Sequence, residues 1–231
     1  MISVIIPAYN AVKYIDECMS SLQGAVEILV GIDRCKETFN YLKSREDIKT
    51  FYFTQNVGPY IIKNTLVDEA SHDKILFFDA DDVLANGVLN KIDELLDEVD
   101  YVKLNYINFT NKINTTGHKM NDAVIAINRP IFNKLNGFQP WRCAADTEFG
   151  HRLIFSKFKH TLLDGVAYYR RIHDNNLTIK KETGHGSSIR NNYVHYIAAH
   201  EKLKQWENPA QKQTQGYVTY TTAHKRAIYS S

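Results

Sequence analysis

Cysteine is scarce: three residues in 231, Cys18, Cys35 and Cys143, scattered and odd in number. No Cys-x-x-Cys pair or Cys/His finger spacing occurs, so neither a disulfide framework nor a structural zinc site is expected. Three reduced, packed thiols suit a reducing compartment, and the expected localisation is cytoplasmic. Long apolar runs are missing too. Val4–Ala8 and Ala123–Ile127 fall far short of the ~20 residues that a membrane span needs. Met1-Ile2-Ser3 has no basic stretch ahead of an apolar one, so no secretory signal is expected. Neither an internal repeat nor an extended low-complexity tract is visible.

What is there is an ordinary globular composition. A chain of this length buries about 70% of its unfolded surface and needs no metal or disulfide scaffold to fold. Hydrophobic residues make up 44% and charged residues 23%, with a net charge of +2. That small total hides an asymmetry. Residues 1–178 hold 20 Lys+Arg against 23 Asp+Glu, whereas residues 179–231 hold 8 against 3 and contain no aspartate. A basic C-terminal segment suits an anionic partner such as a pyrophosphate, a nucleic acid or an acidic membrane surface.

Ser3–Ile6 is a near-continuous β-branched run, the pattern of a strand buried on both faces. Val12, Ile15, Met19 and Leu22 then recur at helical spacing, with Asn10 as a plausible N-cap. Glu27–Ile32, Lys49–Phe53 and Lys74–Phe78 read as further strands. Pro59 suits the first turn of a helix that carries Ile62, Leu66 and Ala70 on one face. Val88, Ile92, Leu95 and Val99 mark the next helix. Such alternation argues for a parallel α/β sheet with right-handed crossovers. Beyond residue 100 the pattern changes. Asp100–Phe109 is a long strand, 110–122 a polar loop, Ala123–Ile127 a strand, and Pro130 and Gly137 bracket a short helix. Asp146–Phe158 reads as helical and Thr161–Arg170 as a strand. Gly184, Gly186, Ser187 and Ser188 form a loose stretch before a last helix at Ile189–Trp206.

The segment Phe77–Leu84, FFDADDVL, carries the most chemistry. Three carboxylates, Asp79, Asp81 and Asp82, follow an apolar strand, and strand ends are where ligands bind in open α/β sheets. Crowded carboxylates repel unless a cation or donor groups compensate, and hard oxygen ligands favour magnesium or manganese. An acidic turn ahead of the helix from Asn86 is the plainer alternative.

SVIIPAYN at 3–10, EILVGIDR at 27–34, NVGPYIIKN at 56–64 and DADD at 79–82 stand in a fixed order. In that order they resemble the nucleotide-sugar-binding half of family 2 glycosyltransferases, inverting enzymes of the GT-A fold. GFQPWRCAADTEFGHRL at 137–153 and YYRRIHDNNLT at 168–178 are similar to the family's acceptor-side segment and closing strand. The resemblance covers about residues 2–178. It implies a GT-A-like α/β fold: a Rossmann-like nucleotide-binding half at 1–99, an acceptor half at 100–178 with a mixed central sheet, and a C-terminal helical extension at 179–231.

Carried over position by position, Pro7, Ala8, Tyr9 and Asn10 would meet the nucleotide base and ribose. Asp33 would read the base edge, and Asn56 and Gly58 lie in the loop before the third helix. Lys63 stands where the family commonly has arginine. Asp79, Ala80 and Asp81 match the Asp-x-Asp motif, with Asp79, Asp81 and His173 as metal ligands. Asp146 matches the catalytic base, although it would also serve as an ordinary first-turn carboxylate. Trp141, Arg142 and Glu148 are acceptor-side candidates, with Glu148 placed to compensate for Ala145, where the family usually has Glu. Around Asp33 the chain departs from the pattern: Gly31 and Ile32 precede it, and Arg34-Cys35-Lys36 replaces a glycine-serine turn.

The function implied is metal-dependent transfer of a sugar, hexosyl or pentosyl, from a nucleoside diphosphate, with UDP foremost and Mn2+ or Mg2+ as cofactor. The acceptor hydroxyl would belong to a surface glycan or lipid-linked saccharide, and the basic C-terminal segment could contact a membrane or nucleic acid. A phage-type enzyme acting on hydroxymethylated DNA bases and a catalytically silent nucleotide-sugar-binding module are the alternatives. A sugar-1-phosphate nucleotidyltransferase is disfavoured, because Pro7-Ala8-Tyr9-Asn10 is not a glycine-rich phosphate loop. Gly184–Ser188 is a candidate lid.

Overall fold

The structure is a computed structural model that describes residues 1–24, 27–113 and 120–220. In chain order the elements begin with β1 (Ile2–Ala8), α1 (Ile15–Ser21), β2 (Glu27–Asp33), α2 (Lys36–Leu42) and β3 (Lys49–Phe53). α3 (Pro59–Glu69), β4 (Lys74–Phe77), β5 (Val83–Leu84) and α4 (Val88–Leu95) follow. The second half comprises β6 (Tyr101–Phe109), β7 (Met120–Asn128), α5 (Arg129–Lys134), α6 (Ala145–Phe155), β8 (His160–Leu162) and β9 (Tyr168–Arg171). α7 (Ser188–Leu203) and β10 (Tyr217–Tyr220) complete it.

One mixed sheet runs β10-β3-β2-β1-β4-β7-β6-β9-β5, with β8 also paired to β6. β3, β2, β1 and β4 are mutually parallel, as the helical crossovers between them require. β7 then lies antiparallel between β4 and β6, where the mixed half begins. Side chains alternate along β1: Val4 and Ile6 face Ile15, Met19 and Ile92, whereas Ile5 faces Ile62, Leu66, Phe132 and Phe149. A strand buried on both faces is apolar throughout, which is why this region reads so clearly.

Several boundaries differ from the sequence reading. Asn10 does not cap α1. It sits at φ 52°, four residues ahead of the Tyr14 N-cap, and its Oδ1 accepts from the Cys35 thiol at 3.1 Å. Thr38 Oγ1 accepts from Ala11 N at 3.0 Å, so α2, a helix the apolar periodicity does not announce, anchors the turn after β1. The stretch 161–170 is two strands, β8 and β9, broken where Gly165 adopts φ +88°. The extension beyond 179 is not purely helical, because β10 pairs antiparallel with β3. β7 begins at Met120, inside the expected polar loop, whose residues 114–119 lie outside the described residues, as do 221–231 of the extension.

Two sequence details fix the parallel half. Glu27, buried at the start of β2, accepts from the Ser3 hydroxyl, Ser71 N and Lys49, joining three neighbouring strands. Burial works to raise its pKa, but those hydrogen bonds prevail and hold it at about 2. Gly31 lets α3 lie directly on β2, since a Cβ there would be 2.2 Å from Ile62 Cγ2.

Gly31→Ala should therefore destabilise the fold by about 1–3 kcal/mol through overpacking, measured as a lower urea midpoint with unchanged m-value. A depressed carboxylate contributes fully above its ordinary pKa of 4.5 and loses that contribution as pH falls toward 2. The stability gap between wild type and Glu27→Gln should accordingly be widest near neutrality and close across that window in pH-resolved urea melts.

Candidate active site

A cavity of about 890 Å³ opens over the carboxyl ends of β1, β2 and β4. Pro7, Ala8, Tyr9 and Asn10 from the β1 turn form one wall, beside Asp33, Asn56 and Gly58. Lys63, Asp79, Ala80 and Asp81 form the floor, and Asp146 and His173 face in from the second half of the chain. The expected donor-side residues are thus brought together, although they come from six separate segments.

α3 supplies two contacts across this space. Lys63, itself buried, donates to Asp79 Oδ1 at 3.0 Å. Tyr60, three residues earlier and so on the same face, lines the cavity beside Asp146. Burial first, and then the charge of Asp146, pushes the Tyr60 phenol well above its ordinary pKa, so it stays protonated. Asp146 lies in the first turn of α6, which Ala144 enters at φ 64°. A carboxylate is favoured at that helix end.

His173 Nε2 lies 2.7 Å from Asp81 Oδ2, and Asn176 Nδ2 donates to the same oxygen at 3.1 Å. Asn176 also accepts from His173 N at 2.7 Å, so the turn after β9 presents the imidazole. Arg171 donates to Asp81 O at 2.9 Å and also pairs with Glu17. Asp82 faces inward and accepts from Arg171 N. Burial, followed by the charges of Asp81 and Asp79, raises its pKa well above the carboxylate range.

The three expected metal ligands are not gathered into one set. Asp81 meets His173, Asp79 pairs with Lys63, and among the described residues no group of three His, Cys, Asp or Glu side chains is arranged to hold an ion. The Asp81 carboxylate still fits a magnesium-type ion, which is commonly bound by one or two carboxylates and completes its shell with substrate phosphates and water.

The family model for glycosyl transferase family 2 matches residues 3–162. The chain belongs to that family. An uncharacterized glycosyltransferase of Haemophilus influenzae is 30% identical over 100 residues, which is 39% of this chain and 40% of the relative. Among solved structures, S. aureus TarS 1-349 in complex with UDP-GlcNAc superposes with a TM-score of 0.62 at 20% identity, over 76% of this chain and 59% of that one. Longer S. aureus TarS gives 0.63 at 18% identity, over 86% and 39% respectively. At such identities the likeness establishes the fold, a GT-A-type mixed α/β architecture. The chain spans less than two thirds of the length of these relatives.

In this family 2 chain the acceptor-side candidates separate. Glu148 does not reach the cavity. It is fully buried, paired at 2.6 and 2.9 Å with the equally buried Arg152, whose remaining donors close Leu135 O and Gly137 O. The compensation expected for Ala145 is therefore absent, because the carboxylate points into the core. Trp141 stacks at 4.3 Å on Tyr193 and meets Tyr196 edge-on, so it joins α7 to the acceptor half. Arg142 lines the cavity but reaches toward Asn56. Asp33 lines the cavity and accepts from Asn56 Nδ2, Val57 N and Gly58 N. The candidate lid is held by hydrogen bonds: Ser187 caps α7 and Gly184 N donates to Lys180 O.

Sequence reasoning missed Tyr60 and Asn176. The i, i+3 spacing of Tyr60 and Lys63 and the His-x-x-Asn spacing in HDNN are the available signals.

Removing Glu148 strands a buried guanidinium. Glu148→Ala should cost about 3–5 kcal/mol in denaturant melts, whereas replacing both Glu148 and Arg152 with well-packed apolar residues should cost much less.

Proposed function

We propose that this chain transfers a sugar from a nucleoside diphosphate to an acceptor hydroxyl, with inversion at the anomeric carbon. The observation that carries this reading is one cavity with Lys63, Asp79, Asp81 and His173 on one side and Asp146, beside Tyr60, on the other. UDP is the proposed carrier, supported by the UDP-GlcNAc complex of the structurally similar TarS. In the reaction the acceptor oxygen bonds to the anomeric carbon as the bond to the diphosphate breaks on the opposite face. Asp146 takes the acceptor proton, with the protonated Tyr60 phenol beside it. Lys63 offers positive charge where negative charge develops on the leaving group. Asp81 and His173 would hold a divalent cation, Mn2+ or Mg2+, which when bound offsets charge on the diphosphate.

For the acceptor we propose a surface glycan or a lipid-linked saccharide. The basic C-terminal segment, with Lys202 and Lys204 exposed at the end of α7, suits an anionic surface nearby. No helix among the described residues is long and apolar enough to cross a membrane. A cytoplasmic setting is proposed from the three cysteines, all unpaired.

The test is release of free nucleotide from UDP-, GDP-, dTDP- and CMP-sugars with manganese present, with and without glycan, lipid or DNA acceptors. One donor should turn over, faster with glycan or lipid-linked acceptor. Asp146→Asn should lower kcat by roughly 100-fold or more while leaving donor binding intact. Donor binding without turnover under any condition would support the silent-module alternative instead.

A further inference from the structure

Arg142 lies on the segment between α5 and α6, four residues ahead of Asp146, and its side chain is exposed. It nonetheless crosses to the loop between β3 and α3, on the donor side of the cavity. One guanidinium nitrogen donates to Asn56 O at 3.1 Å and another to Asn56 Oδ1. Asn56 passes the contact on, since its Nδ2 donates to Asp33 Oδ2 at 3.0 Å. Asp33 in turn accepts from Val57 N at 2.7 Å and Gly58 N at 3.1 Å. The guanidinium also lies against Gly58, where a Cβ would come within 3.4 Å of it.

This chain of contacts fixes the loop at both ends. Arg142 holds the oxygen of the Asn56 amide, Asp33 holds the nitrogen, and a flipped amide would lose both. Burial pushes the Asp33 carboxyl up, and the Val57 and Gly58 N–H groups and the Arg142 charge oppose that rise. A planar guanidinium can hold a backbone and a side-chain oxygen at once, whereas a lysine ammonium is a point charge.

We propose that Arg142 is a positioning residue of the donor pocket: from the acceptor segment it sets the Asn56–Gly58 loop against Asp33 and so shapes the wall that receives the nucleotide. This rests on the reading of the cavity as a nucleotide-sugar site. Arg142 thereby ties donor affinity to the segment that leads into the catalytic aspartate, and it is not primarily an acceptor contact.

The experiment is calorimetric titration of UDP, GDP and dTDP into wild type, Arg142→Ala, Arg142→Lys, Asn56→Ala and the Arg142→Ala/Asn56→Ala double variant, with melting curves alongside. The nucleotide that wild type binds should bind Arg142→Ala roughly tenfold more weakly, since hydrogen bonds to a charged group are lost. Arg142→Lys should recover little of this loss. The double variant should be no worse than the weaker single, because both act through one contact. In turnover, donor KM should rise with kcat changed by no more than about twofold. Unchanged nucleotide affinity in Arg142→Ala, with a raised acceptor KM, would overturn the proposal and make Arg142 an acceptor contact. Additive losses in the double variant would overturn the shared path through Asn56. Wild type that binds none of the three nucleotides would overturn the donor-site reading and this inference with it; a variant that unfolds shows itself in its melting curve, and Arg142→Lys and Asn56→Ala then decide the matter.

Discussion

A guanidinium buried completely must have its donors matched, and the constraint this places on Arg152 organises the acceptor half. Glu148 satisfies one edge of the guanidinium from a turn earlier in α6. The remaining donors go to Leu135 O and Gly137 O, which ties the end of α5 to the side of α6. Gly137 accommodates the resulting turn at φ +65°. The chain between these two helices carries Phe138, Arg142 and the lead into Asp146, and all three inherit their positions from this one ion pair.

Phe138 carries the constraint across to the other half. Its N–H and C=O are both taken by the side-chain amide of Asn64, at 2.9 Å each, and its ring packs among Tyr60, Phe77, Phe132 and Phe149. Asn64 follows Lys63 directly, so α3 holds the acceptor segment with one residue and the Asp79 carboxylate with its neighbour. Walls that originate in distant parts of the chain are thus fixed relative to one another by buried amide and aromatic contacts as well as by the Arg142–Asn56–Asp33 contacts.

How much of this the sequence disclosed follows from what leaves a periodic trace. β1, β2, β3 and β4 were legible because strands covered on both faces are apolar without interruption. α2 escaped notice because a seven-residue helix buries only Thr38 and Leu42 fully, and β10 because four residues at an edge give no pattern. At the site, Asp79, Asp81, Asp146 and His173 could be read from ordered motifs. Glu148 was misplaced because a Glu-x-x-x-Arg pair is written the same way whether it faces water or the core. Arg142 meets Asn56 across the cavity, a contact its sequence neighbours do not announce because the reach of a long side chain is decided in space. Tyr60 and Asn176 act through contacts made across the fold, which no spacing rule announces.

β10 has a bearing on how the molecule is made. Its partner, β3, is synthesised about 160 residues earlier, and until Tyr217–Tyr220 pair with Thr50–Phe53 the parallel half presents an open row of backbone donors and acceptors. On a ribosome that interval lasts from the emergence of the first helical crossovers to the emergence of residue 220. Such late closure is slow and leaves the nascent chain exposed to pairing with a neighbour. The route of residues 208–215 counters this. Asn136 and Asn64 hold Pro209 O and Gln213 O, Lys212 pairs with Asp68, and Gln215 N donates to Thr65 Oγ1. These contacts lay the segment that leads into β10 along the surface of α3 and α5.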